Sequence, residues 1–437
     1  MVNAFFNWFV AADSRTFTFN NKLAVIIIGI VCASAFDVLQ PYFEVVSELE
    51  DRNHSEQAAN ASSSNRFSQL LWISLMGLSV VAIMRDPRRF QRILWAQWPI
   101  ALIGVFALIS VVWALAPSIA FRRSVLLSFV FASIFVGACY LRTPYQIPLI
   151  IYRIASIALG FNLLAVGLGH FDIEGYFYGI HGHKNTLGAV ALQALFFGFA
   201  ARQFYPKSLN RPLNTLYLFA WFTLLLLSVS KTSIGLFFLI PIMVFGAQKI
   251  GRWLHLNLGF LLLIGVLLFT LFIFAILIWS DWHIKQLLAQ FMADPTFTGR
   301  DYIWAFMLEQ IGQRQLFGAG YGSFWGIGIH SPNMVFGQGF LTLLNQGHNG
   351  YLDLIAQLGW VGLGLYLITL VQFSWQSSLI QQHHPGLFAL CWILLMLTLI
   401  HNITESSIMR GSHSLWVMQL LMFTLVARLY MDREKQP

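Results

Sequence analysis

The sequence predicts an all-α, polytopic membrane protein with about 12 transmembrane helices and one long, partly helical loop. The first observation is composition, since 57% of the residues are hydrophobic and 10% are charged. A chain of 437 residues with so few polar side chains cannot cover the surface of a soluble protein. The second observation is that apolar runs of about 20 residues, the length that crosses a bilayer, recur along the chain. The third is the polar, Gly-rich segment 281–349, which interrupts these runs.

The apolar runs give the predicted order of transmembrane helices. They occupy 23–43, 67–84, 94–116, 124–141, 147–169, 186–204, 212–229, 232–248, 253–280, 350–376, 386–402 and 413–430. The predicted organisation therefore has three parts: residues 1–280 form helices 1–9 with short loops, 281–349 form the large outer loop, and 350–437 form helices 10–12 and a cytoplasmic tail.

The distribution of cations predicts the orientation in the membrane. With a cytoplasmic N-terminus, short cytoplasmic connections carry fifteen of the 26 Lys and Arg residues, and outer connections carry ten. The densest basic connection is 85–92, and Arg153 lies inside a predicted span. This excess agrees with the positive-inside rule and places both termini in the cytoplasm.

Several function classes find no support in the sequence. The net charge of +8 is spread between the spans, so no nucleic-acid-binding surface is predicted. Cys32, Cys139 and Cys391 lie within apolar runs and are expected to be buried, with neither disulfide nor metal spacing. No internal repeat is visible, and Arg153 is the main ionisable residue within a span, so a transporter is a weaker alternative.

Cations on the less favoured, outer side need another explanation. Six of the ten outer cations lie at or near the ends of apolar runs, most of them beside Gly, Ser or Asn. These six are Arg122, Arg123, Lys184, Lys231, Arg300 and Arg410. A single cation of this kind usually extends from a helix end to the membrane interface. As a group, however, they favour an anionic ligand such as a lipid phosphate or diphosphate.

His348 is the candidate catalytic residue. It lies where the long loop re-enters the membrane, and an imidazole can accept a proton from a sugar hydroxyl near neutral pH. Asp353 and Glu309 are the nearest acids that could orient such a base. No metal or cofactor site is predicted, because His181 and His183 have no neighbouring cluster of ligands. The Gly-rich stretch 318–325 is interpreted as loop architecture, with sugar stacking as the alternative.

Six motifs then occur in a characteristic order. They are Ser110-Val-Val-Trp113 with Pro117 and Arg122-Arg123; His183-Lys184-Asn185; Ser230-Lys231-Thr232-Ser233; Thr298-Gly299-Arg300; Phe317 to Trp325; and His348-Asn349-Gly350-Tyr351-Leu352-Asp353. Together they resemble the O-antigen ligase/polymerase superfamily of bacterial envelope glycosyltransferases, with its exopolysaccharide-polymerase branch as the nearest likeness. The resemblance covers roughly 108–362.

The resemblance implies a fold, a reaction and roles for individual residues. It implies a GT-C-like helical membrane fold whose large loop is periplasmic, and an inverting, metal-independent transfer from a donor on undecaprenyl diphosphate. His348 matches the proposed general base, and Arg300 matches the arginine that holds the diphosphate. Arg122, Arg123, His183, Lys184 and Lys231 are assigned to diphosphate binding. The lead-in Asn345-Gln346-Gly347 departs from the usual pattern and could mark a different acceptor.

The predicted function is therefore an inner-membrane glycosyltransferase that polymerises exopolysaccharide or O-antigen repeat units at the periplasmic face. The expected partners are the lipid-linked glycan donor, a glycan acceptor and membrane lipids. The alternative is an O-antigen ligase that uses lipid A-core as the acceptor. A transporter of the lipid-linked oligosaccharide and a protein-glycosylating transferase remain further alternatives. Whether a chain-length regulator assists the protein stays open.

Overall fold

The computed structural model describes residues 18–42, 66–169, 171, 175–207, 209–254, five positions between 259 and 268, and 299–433. Within these ranges the chain is helical, and its single β-type pairing is an isolated antiparallel bridge between Phe171 and Phe177. The predicted all-α class is therefore confirmed.

Thirteen helices organise the described residues, and we number them along the chain. They are α1 Phe19–Ala35, α2 Arg66–Arg85, α3 Pro87–Ala96, α4 Trp98–Ile109, α5 Pro117–Tyr140, α6 Gln146–Gly167, α7 Lys184–Phe204, α8 Arg211–Leu227, α9 Lys231–Leu254, α10 Arg300–Gly312, α11 Gly350–Ile380, α12 Pro385–His401 and α13 Ser414–Arg433. Shorter helical turns are Ser110–Trp113, Gly328–His330, Pro332–Val335 and Gly339–Leu343.

Each predicted apolar run overlaps a helix in the part of it that the structure describes. The run 253–280 lies mostly outside the described residues. Among the described helices, 7 are long and apolar enough to cross a membrane, and the number is up to 8 if one bent pair counts as a single span. Three apolar helices of 17 residues, α1, α8 and α12, are shorter. The count of about 12 therefore stays a prediction.

The bent pair corrects the boundary of the third predicted run, 94–116. Here α3 and the helical stretch that follows it meet at 92°. Gln97 has φ −130 between them, and Pro99 lies in the first turn of α4, where its missing N–H costs no hydrogen bond. The basic residues of 87–96 thus form a separate short helix.

The connections between helices gather at two ends of the bundle. At one end Leu115 N donates to Ala319 O (3.1 Å), and Tyr42 N donates to Ile180 O (3.0 Å). At the other end Tyr140 Oη donates to Asp86 O (2.5 Å). The first end also contains the loop after α12, because Tyr321 Oη donates to Met409 O (2.6 Å). We call it the site end, since the candidate residues lie there.

A break in α11 ties the long loop to the bundle. Gly359 has φ 66 and ψ −168 within the helix, and a side chain there would meet the Leu316 carbonyl. The break exposes two helical N–H groups to the loop: Trp360 N donates to Gln315 O (2.9 Å) and Val361 N to Leu316 O (3.2 Å). Glycine permits both the positive φ and the close approach.

The deepest part of the bundle is apolar, as the composition requires. Helices α7 and α13 have 78% and 89% of their most apolar windows buried inside the protein. Cys32, Cys139 and Cys391 are all buried and free, which confirms their predicted packing role.

Candidate active site

His348 lies at the junction between the long loop and α11. The next residue, Asn349, caps the helix, because its Oδ1 accepts from Tyr351 N (3.1 Å) and Leu352 N (3.0 Å). His348 itself has φ 47, a left-handed conformation that non-glycine residues seldom adopt. Such strain is found preferentially at functional sites, where the surrounding structure holds it in place.

Glu405 joins the two predicted catalytic residues. Its Oε2 lies 3.1 Å from His348 Nδ1, and its Oε1 lies 2.6 Å from Arg300 Nη2. Asn185 Nδ2 also donates to Oε1, at 2.8 Å. A single carboxylate therefore connects α7, α10, the start of α11 and the loop after α12.

These contacts determine which nitrogen of His348 is available as a base. An ionised carboxylate only accepts hydrogen bonds, so Nδ1 of His348 carries the proton that points at Glu405. This assignment leaves Nε2 as the acceptor nitrogen of the neutral ring. Because the His348 side chain is 23% exposed, its ring remains partly accessible.

Glu405 is ionised at neutral pH. Burial alone raises the pKa of this carboxyl, but the hydrogen bond from His348 and the charges of His348 and Arg300 outweigh burial and lower its pKa to about 2. The carboxylate can therefore hold the imidazole in one orientation and stabilise its protonated form.

Asp353 and Glu309, the two acids predicted to be able to orient His348, do not contact its imidazole. Asp353 Oδ1 accepts from Trp325 Nε1 (2.6 Å), and both of its oxygens accept from Gly347 N. It thus fixes the backbone just before His348 rather than the imidazole. Glu309 is exposed on α10. The carboxylate beside His348 is Glu405, which sequence reasoning missed.

The loop that carries Glu405 is folded around a buried amide. Asn402 is fully buried, and its Oδ1 accepts from Ser407 N (2.8 Å) and Ile408 N (3.1 Å). Gly350 N donates to Asn402 O (2.9 Å) and Glu405 O (3.0 Å), which holds the loop against the start of α11. The spacing between Glu405 and His348 is therefore set by backbone contacts on both sides.

Arg122 and Arg123 differ although they are neighbours on α5. The Arg123 guanidinium donates to the carbonyls of Gly322, Trp325 (2.9 Å) and Gly326 (2.8 Å). It thereby holds the Gly-rich stretch against α5. Arg122 is half-buried at the same end. The geometry gives Arg123 a structural role, and diphosphate binding by either residue stays a prediction.

The other predicted phosphate ligands lie at helix N-termini. His183 is the N-cap of α7, where its Nδ1 accepts from Asn185 N (3.2 Å), and the Lys184 Nζ lies 3.3 Å from the centre of the Tyr176 ring. Lys231 is exposed at the first position of α9. The two helix starts are adjacent, since Gly188 approaches Ser230 and Ser233 closely. Helix N-termini favour anions, so their diphosphate assignment remains a reasonable prediction.

The Gly-rich stretch is loop architecture. Tyr321, Phe324 and Trp325 are buried, so their rings are not displayed for stacking on a sugar. Tyr321 N donates to Ser110 Oγ (2.9 Å), and Ala116 N donates to Ser323 Oγ (2.6 Å). The stretch also contacts α11, because Ala319 N donates to Ala356 O (2.8 Å), so it packs between the start of α5 and α11.

A polar cavity of about 470 Å³ opens beside Glu405. Its walls come from the start of α7, the residues just before His348, and the loop after α12. The lining residues are His183, Asn185, Thr186, Ala189, Asn345, Gln346, His401, Glu405, Ser406, Arg410, Ser412 and His413. Within the described residues, no group of three His, Cys, Asp or Glu side chains could hold a metal ion.

The fold and the site together define a multi-pass helical membrane protein with a His–carboxylate–Arg cluster at one end of its bundle. A family model described as "O-Antigen ligase" matches residues 216–367, which include Arg300 and His348. The exopolysaccharide production protein ExoQ of Rhizobium meliloti (strain 1021) is 27% identical over 323 residues, covering 70% of this chain and 71% of the relative. Both similarities support the O-antigen ligase/polymerase superfamily and a role as a membrane glycan ligase or polymerase.

The role of Glu405 was difficult to predict from the sequence. It lies 57 residues after His348 and 105 after Arg300, so no local spacing relates them. The one available signal was an acid in the last outer connection, close to Arg410. In a chain with 18 acidic residues, such an acid at the outer face could have been considered a partner for the catalytic pair.

Proposed function

We propose that the protein is an inverting glycosyltransferase of the bacterial inner membrane that elongates a glycan at the periplasmic face. The donor is a glycan on undecaprenyl diphosphate, and the acceptor is a hydroxyl of the next repeat unit, so that exopolysaccharide or O-antigen is polymerised. The observation that carries this proposal is the shared contact of Glu405 with His348 and Arg300.

In this reaction His348 is the general base. Its Nε2 takes the proton of the acceptor hydroxyl as the oxygen attacks C1 of the donor sugar. The bond between C1 and the phosphate oxygen breaks, and undecaprenyl diphosphate leaves with the electron pair. Attack opposite the leaving group inverts C1. Glu405 stabilises the imidazolium that forms, as the carboxylate does in other His–carboxylate pairs.

Cations at the site end have the complementary task of stabilising charge on the departing diphosphate. Arg300 presents five N–H donors, so its bond to Glu405 leaves it able to contact a phosphate oxygen. His183, Lys184 and Lys231 lie at two adjacent helix N-termini, where the helix dipoles add to their attraction for an anion. Because the diphosphate is a good leaving group, the proposed reaction proceeds without metal, and we expect transfer to survive treatment with EDTA.

Ligation to lipid A-core is the second candidate, and the match to the O-antigen ligase model favours it. Deletion of the gene separates the two. Accumulation of single repeat units indicates a polymerase, whereas full-length glycan left on undecaprenyl diphosphate indicates a ligase. Unchanged glycan of both kinds would contradict both functions. A chain-length regulator would be a partner in the first case.

The proposed orientation has a separate test. The three native cysteines are buried, so a cysteine placed at the exposed Gln338 would be the main reactive thiol among the described residues. We expect Gln338→Cys to react with a membrane-impermeant maleimide in intact spheroplasts. Labelling only after the membrane is permeabilised would place the site end in the cytoplasm.

A further inference from the structure

The cavity beside Glu405 contains polar groups that the proposed proton transfer does not use. His401 is 3% exposed and lies in the cavity wall, and neither of its ring nitrogens has a hydrogen-bond partner within the described structure. Buried polar groups are nearly always hydrogen-bonded. An occupant of the cavity is placed to supply the hydrogen-bond partner that this imidazole lacks.

The chemical character of the walls restricts the occupant. Eleven of the twelve lining residues have polar side chains, and Ala189 is the exception. His183 is the one proposed diphosphate ligand in the cavity wall, whereas Arg300, Lys184 and Lys231 do not line it, so we expect the diphosphate outside the cavity. The remaining walls offer amides, hydroxyls and imidazoles next to one cation, Arg410. A neutral ligand with many hydroxyl groups can donate to the carboxylate and accept from Arg410 and the amides.

The walls are also fixed in place, as a binding site requires. The Arg410 guanidinium bonds to Gln346 Oε1 and to Ser406 O, and so joins the segment before His348 to the loop after α12. On the α13 side, His413 Nδ1 accepts from Leu415 N (3.3 Å). The cavity volume of about 470 Å³ lies in the range of about 300–1,000 Å³ typical of small-ligand sites.

We propose that this cavity is the subsite for the acceptor sugar, and that His401 and His413 are positioning residues that bind its hydroxyl groups. The proposal rests on the glycosyltransferase function stated above. It assigns the acceptor to this cavity because Glu405 belongs both to the wall and to the contact with His348. A hydroxyl bound here therefore lies close to the base that would deprotonate it.

The test is a binding measurement on the full-length protein in lipid nanodiscs, carrying His348→Ala so that no turnover occurs. The probe is the oligosaccharide released by mild acid from the host's lipid-linked repeat units, titrated by calorimetry. We expect it to bind, and we expect His401→Leu to raise its Kd by about tenfold or more. His401→Asn retains a polar group and should raise Kd less. His383→Asn, at the opposite end of the bundle, is the matched control and should leave Kd unchanged.

A second variant keeps the proposal testable if the His401 variants do not fold. His413→Asn preserves an N-cap acceptor for α13, because asparagine is a preferred capping residue, and removes only the imidazole. We expect it also to weaken oligosaccharide binding. Equal Kd values for the parent, His401→Leu and His413→Asn would overturn the proposal, as would the absence of binding to the parent. Displacement of the oligosaccharide by inorganic diphosphate would also overturn it, because the cavity would then be an anion site.

The outcome also distinguishes this subsite from the proposed reaction. If wild-type protein shows no transfer but binds the oligosaccharide through His401, the cavity is a sugar-binding site and the proposed reaction is wrong. If wild-type protein transfers glycan and His401→Asn changes neither Kd nor the KM for acceptor, the reaction stands and the subsite is wrong. A positioning role predicts a rise in acceptor KM with a smaller change in kcat.

Discussion

Glu405 Oε2 lies 3.1 Å from Nδ1 of His348, across 57 residues of chain. The pairing orients the imidazole with Nε2 as the base, and the second carboxylate oxygen binds Arg300 at 2.6 Å. The proton acceptor and the cation of the proposed reaction are therefore positioned by one side chain.

The first prediction concerns that side chain directly. Glu405→Gln keeps its size but removes the charge that stabilises a protonated His348, so the transfer rate should fall by at least about 100-fold. The rate is measured with purified protein and lipid-linked donor. Glu309→Gln, on the exposed face of α10, is the control and should retain full activity. Equal activity of Glu405→Gln and wild type would remove Glu405 from the mechanism.

The second prediction is a pH dependence of stability. The folded-state pKa of Glu405 is lowered from 4.5 to about 2, so its ionised form stabilises the fold above pH 4.5. That contribution is lost as the pH falls from 4.5 toward 2. Glu405→Gln should therefore lower Tm at pH 7, and the difference from wild type should shrink at pH 3. Thermal unfolding in nanodiscs measures both values, and a Tm difference that is equal at the two pH values would contradict the ion-pair account.

The positions of the apolar helices could be predicted from the sequence because the bilayer requires long apolar segments. Backbone groups in a bilayer must pair within a helix, so the apolar runs 124–141 and 413–430 correspond to α5 and α13, although α5 begins seven residues before its run. The run 94–116 was less accurate, because hydropathy did not separate the amphipathic α3 from α4.

The site was only partly predictable for a different reason. His348 and Arg300 could be selected by residue type and motif, but the contact that joins them depends on how the loop after α12 folds. Arg122 and Arg123 were equivalent in the sequence, and only the fold directs Arg123 to three carbonyls of the Gly-rich stretch.

The third prediction follows from that difference. Arg123→Ala leaves the carbonyls of Trp325 and Gly326 without their donors and should destabilise the protein by about 1–3 kcal/mol. Arg123→Ala and wild type are compared by Tm and by KM for the donor. An unchanged Tm for Arg123→Ala together with a raised donor KM would show that Arg123 is a diphosphate ligand instead.

The fourth prediction concerns the start of α11. A Cβ at Gly350 would meet the side chain of Asn402, whereas a Cβ at Gly364 on the same helix meets nothing within 4 Å. Gly350→Ala should therefore push the Glu405 loop away, lower Tm by the equivalent of about 1–3 kcal/mol, and reduce transfer. Gly364→Ala should be neutral or slightly stabilising. Equal Tm and activity for the two variants would mean that the loop does not need its close approach to α11.

The central claim is that His348 is the base in a transfer from lipid-linked donor. Its most direct measurement is the single-turnover rate of purified His348→Ala with undecaprenyl-diphosphate-linked repeat units, beside His330→Ala as a control. His330 is exposed in the same long segment. We predict that His348→Ala remains folded but loses at least about 100-fold in rate, and that His330→Ala matches wild type. A folded His348→Ala protein that transfers glycan at the wild-type rate would contradict the account.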